Sequence, residues 1–150
     1  MTNDPTSPVT PEPDEPSPVA DAMADAREAF NRAGFSTPTG LVALAGLVIL
    51  AVEVLFGVIL NEFRNDYVLV GSGIAAVALF YGKDRGVSSA GALRLIGWII
   101  AGVVLFELIY DLRFASSTYD EVADEVADVF GMLFTYAAGV LAFLGARAIK

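Results

Sequence analysis

Thr39–Leu60 reads TGLVALAGLVILAVEVLFGVIL. It overlaps a run, residues 33–52, in which 20 consecutive positions carry no charge. A helix needs about 20 apolar residues to cross a hydrocarbon core of roughly 30 Å. In oil every backbone polar group must be satisfied within the segment, and a helix does this. The stretch therefore predicts a membrane span at about 39–60. Glu53 ends the uncharged run inside that span, which makes it the first residue to question.

Three further apolar runs follow. Residues 67–82 give 16 uncharged positions between Asp66 and Lys83. Tyr67 and Tyr81 suit an interfacial belt at its ends, and Lys83 can snorkel. The run is short for a span, and a thinned bilayer or neighbouring helices would have to absorb the mismatch. A third span is expected at about 93–110, with Trp98 near its start and Glu107 near its end. A fourth is expected at about 129–146, where 18 positions between Asp128 and Arg147 are uncharged. The expected fold is all-α: a polytopic membrane protein with a four-transmembrane-helix bundle.

Before the first span lies an acidic, proline-rich segment with little to bury, for which disorder is the default reading. Ser17 suits a helix cap, Pro18 the first helical position and Gly34 the end. Between them Val19, Met23, Phe30 and Ala33 share one face. This predicts a short amphipathic helix over 18–33 within a tail at 1–36. It is either a solvated helix or one that lies in the headgroup layer or docks a partner. No basic n-region with an early apolar core is visible, so no cleavable signal is expected. Insertion should be driven by the first span, and no domain is expected beyond the fourth.

The longest polar connection runs over 111–128, and within it SSTYDEVADEVAD at 116–128 pairs Thr118 with Glu121 as a capping box. Val122, Val126 and Val129 share a face, so an amphipathic extracytoplasmic helix running into the fourth span is expected. Its other face is crowded with acids. That face lacks the Gly turn and alternating ligands of a calcium loop.

Basic residues orient the spans. With four crossings, the side holding both termini carries Arg27, Arg32, Lys83, Arg85, Arg94, Arg147 and Lys150, and the other side only Arg64 and Arg113. Cytoplasmic loops hold the excess of Lys and Arg, so both termini are expected to be cytoplasmic. The halves also look related. Val54-Leu55-Phe56 with Ile59 matches Val104-Leu105-Phe106 with Ile109. Ala75-Ala76-Val77 matches Ala138-Gly139-Val140. Either a hairpin was duplicated or apolar segments match by chance.

A charge at mid-membrane costs at least ~2.5 kcal/mol. Glu53 should therefore face protein or water, or be protonated. Counting from the span ends places Glu53, Ser72, Thr135 and Tyr136 at a similar depth in the outer half, with Glu107 nearer water. Together they form a candidate polar layer. Glu53 with Tyr136 could bind a cation or exchange a proton, or Glu53 could make a structural hydrogen bond between helices. Small residues four apart mark candidate packing faces: Gly71 with Ala75, Gly97 with Ala101, and Ala138 with Ala142.

Composition removes whole classes of chemistry. With no cysteine and no histidine, disulfides, thiolates, the usual zinc and copper ligands and every histidine-based triad are excluded. No phosphate loop and no nucleophile–base pair is visible, so neither enzyme activity nor a cofactor or metal is expected. At 18 acids against 9 bases, nucleic acid is a poor partner. The expected partners are the lipid bilayer and another membrane protein or a second copy.

Seven arginines against two lysines, with abundant Ala, Val and Asp, resemble the halophilic style of haloarchaeal proteins. In size, span count and acidic character the chain resembles the internal four-span membrane protein of haloarchaeal pleomorphic viruses. A cellular membrane protein of the same habit shares these features. The expected function is that of a structural or interaction protein that self-associates or docks a partner through its acidic tail. The alternative is a proton- or cation-coupled transport subunit centred on Glu53.

Overall fold

The computed structural model describes residues 18–59, 67–82, 89–114 and 122–150. These form five helices: α1 (Pro18–Arg32), α2 (Pro38–Ile59), α3 (Tyr67–Gly82), α4 (Ala90–Phe114) and α5 (Val122–Ala148). No strand occurs among the described residues. Segment 1–17, the polar turn 61–66, the basic connection 83–88 and the capping box at 118–121 lie outside them.

Three helices are long and apolar enough to cross a membrane, over Pro38–Phe56, Ala90–Leu112 and Val129–Ala148, with mean hydropathies of 2.4, 2.1 and 1.9. The chain is thus read as a helical membrane protein. Helix α3 is equally apolar but only 16 residues long, about 24 Å at 1.5 Å per residue.

One span outruns its expected bounds. Helix α4 begins at Ala90 rather than near Leu93 and continues to Phe114 rather than ending at Tyr110. Ser89 sits at its start and accepts the Leu93 amide at 2.8 Å. Helix α5 is continuous from Val122 into the apolar run at 129–146, as expected of a helix that runs into that span. Charged residues end an apolar run, but they do not end a helical backbone.

The entry to α2 is tightly built. Thr37 caps it: its Oγ1 accepts the Gly40 amide at 3.1 Å, and its carbonyl accepts the Leu41 amide at 2.9 Å. This cap satisfies amides that a helix start leaves orphaned. Pro38 follows, where a missing N–H costs nothing. Gly34, which closes α1, has φ of 80°. A residue with a Cβ is disfavoured in that left-handed region. The Gly34 carbonyl in turn accepts both the amide and the hydroxyl of Thr37.

Helices α2 to α5 form an antiparallel bundle in which each packs on its neighbours in sequence and α5 returns to α2. Helix α2 also touches α4 across the diagonal, whereas α3 and α5 do not meet. The register is set by small residues. Gly46 lies against Gly73, Gly145 against Pro38 and Leu41, Gly139 against Val104, and Gly97 against Ala146 and Val42. Ala45, Ala138 and Ala142 are fully buried with Ile49, Leu69, Ile100 and Val104 around them. A second cluster (Val42, Ala43, Ala76, Phe80, Leu93 and Ile149) fills the end where α2 starts and α5 finishes. The start of α2 and the end of α5 therefore lie at one end of the bundle. Small residues in the core and large ones outside suit a bundle held by close backbone packing in lipid.

The matched halves do not share an environment. Val104 is buried, whereas its counterpart Val54 is exposed.

Candidate functional site

The candidate polar residues divide between levels once the register is known. Gly131 of α5 faces the Phe56 ring, and Glu53 sits one turn further into α2. Glu53 is half-buried. Ser72, also half-buried, adjoins Gly73, and Gly73 packs on Gly46. Gly46 is seven residues along α2 from Glu53, about 10 Å at helical rise. Ser72 is therefore near mid-bundle, at a different level from Glu53. Counting from the span ends misplaces it, because antiparallel neighbours are offset along their axes by packing.

Thr135 is half-buried and bonds its own helix, its Oγ1 donating to the Gly131 carbonyl at 2.9 Å. This back-bond satisfies the hydroxyl locally, a common arrangement for threonine in a helix. The Tyr136 hydroxyl donates to Asp111 Oδ2 at 2.9 Å, joining α5 to α4. Glu107 lies one turn before Asp111 on α4 and is half-buried. Both Glu53 and Glu107 have interaction partners within the chain.

Asp111 was invisible as a site residue in the sequence because it was expected to lie in the polar connection. The available signal was its spacing: it stands four residues after Glu107, on the same helical face.

Of the candidate packing residues, Gly97, Ala138 and Ala142 are buried and Ala75 and Ala101 are half-buried. Gly71 is exposed, and a Cβ there would meet nothing within 4 Å. The packing glycine of α3 is Gly73 instead.

A groove of about 230 Å³ runs between α4 and α5, lined by Ala101, Val104, Leu108, Gly139 and Val140, with Tyr136 as its polar member. It offers shape without reactive groups. Among the described residues no three His, Cys, Asp or Glu side chains stand close enough to hold a metal ion. No buried side-chain nitrogen or oxygen among them lacks a hydrogen-bond partner. The chemistry this arrangement supports is polar bonding between helices at one end of the bundle.

No protein-family model matches the chain, and neither a curated protein nor a solved structure matches it.

Proposed function

We propose that the protein is a structural or interaction protein of the cell membrane, or of a membrane derived from it. In this reading it has four spans and a cytoplasmic N-terminal segment offered to a partner. The observation that carries the reading is the way polar groups in the bundle are used. Tyr136 is spent on Asp111 between two helices, and Thr135 on its own backbone. Polar groups committed to bonds between and within helices hold a bundle together rather than line a path.

The outer surface supports the same reading. Leu95, Ile99, Leu105, Phe106, Leu133 and Phe134 are all exposed, as expected of side chains that face lipid or another membrane protein. In this reading α3 also spans, and its ends carry exposed Tyr67 and Tyr81. Arg94 and Arg147 are exposed at the bundle end that α1 joins, and the α3–α4 connection adds Lys83 and Arg85. The positive-inside rule assigns that end to the cytoplasm. A virion membrane protein and a cellular scaffold both fit this reading.

The second reading, transport of a proton or cation, rests on Glu53, a half-buried acid in the first span. Glu53→Gln separates the two. For a structural protein, the variant loses its oligomeric state or its co-purified partners in mild detergent. Reconstituted wild type then shows no ion flux above empty vesicles. Flux in wild type that disappears in the variant would replace the structural reading with transport.

A further inference from the structure

Helix α1 is the most amphipathic of the five, yet it has no buried residue and packs on none of the bundle helices. Val19 and Met23 are 68% and 70% exposed. They share a face with Ala26 and Phe30 at helical spacing. Asp21, Asp25 and Glu28 lie on the opposite side.

The orientation of that apolar face is fixed at one point. The Phe30 ring lies 5.6 Å from that of Phe35, and Phe35 stacks on Phe80 of α3 at 5.7 Å with 19° between planes. Phe80 is buried in the cluster that closes this end of the bundle. At its Phe30 end the stripe on α1 therefore faces the end of the bundle. Gly34 in its left-handed conformation and the Thr37 cap leave only a short, ordered joint between α1 and the first span. Val19 and Met23 continue the same stripe away from the joint, past the last bundle side chain that meets it.

We infer that α1 lies along the cytoplasmic face of the bilayer, with Val19, Met23 and Phe30 in the boundary between headgroups and acyl chains. The occupant of its apolar face is the lipid surface that surrounds the bundle. This rests on the membrane reading above. The acidic side then faces water, so attraction to anionic lipid is not the driving force.

The chain contains no cysteine, so single cysteines can be spin-labelled in the full-length protein. Labels at V19C, M23C, D25C, E28C and F106C are compared in zwitterionic phosphatidylcholine vesicles, using oxygen and a water-soluble nickel chelate as relaxing agents. The expected result is a severalfold higher oxygen-to-nickel ratio at 19 and 23 than at 25 and 28. It should be unchanged in 1 M salt, where the screening length is about 3 Å. The F35A variant should erase the contrast by freeing the joint.

Equal, water-like ratios at all four α1 positions, with a lipid-like value at 106, would overturn the inference and leave the membrane reading intact. A water-like value at 106 would overturn both. Dipolar broadening at 23 that persists on dilution into excess lipid would place a second copy on the stripe and likewise overturn the inference.

Discussion

Gly46 and Gly73 meet backbone to backbone where α2 crosses α3. A Cβ built on Gly46 would lie 2.7 Å from the Gly73 carbonyl oxygen and 3.1 Å from its Cα. Neither atom belongs to a flexible side chain, so relief requires the two helices to move apart. Gly46→Ala should therefore destabilise the bundle by about 1–3 kcal/mol, the usual cost of overpacking, despite alanine's better helix propensity. Gly71→Ala, two residues from Gly73 but facing open space, should be neutral or stabilising by up to about 1 kcal/mol. Unfolding in mixed detergent, followed by circular dichroism, checks the pair. Equal effects at the two positions would refute the assigned crossing.

The joint between α1 and α2 should be sensitive to backbone chemistry. Gly34→Ala places a Cβ on a residue with φ of 80°, at a cost of roughly 1–2 kcal/mol. Thr37→Val removes the hydroxyl that accepts the Gly40 amide, at about 1 kcal/mol. Because the joint lies outside the main bundle contacts, the loss should appear first as faster amide exchange at residues 35–42. An unchanged exchange profile in both variants would show that the cap and the turn do not hold this segment.

Tyr136→Phe should remove the bond to Asp111 while keeping the ring in place. Hydrogen bonds between membrane helices are worth about 0.6 kcal/mol on average, so a small loss is expected. The informative quantity is the coupling in a double-mutant cycle with Asp111→Asn. A coupling near zero would mean that the two side chains act independently.

Much of this fold is legible in the sequence, and its failures have a common physical origin. The uncharged runs locate α2, α4 and α5, because crossing oil demands length and apolarity and little else. The same uniformity hides which face of each helix points inward. Helix α3 is apolar all round, so choosing Gly71 over Gly73 as the packing residue cannot be decided from spacing. Depth fails for a related reason: Ser72 was counted from Tyr67, whereas its level is set by where Gly73 docks. Asp111 is not legible as a site residue because a charge closes the apolar run, whereas the helix itself continues to Phe114. The stop at Gly34 is readable because it depends on local backbone chemistry alone.

The most direct test of the membrane topology is cysteine labelling in intact cells. Asn61→Cys and Lys150→Cys are treated separately with a maleimide that cannot cross the membrane. The expected result is modification at 61 in intact cells and at 150 only after permeabilisation, with both proteins retained in the membrane pellet after alkaline extraction. Labelling at 150 in intact cells, or release of either protein into the supernatant, would contradict it.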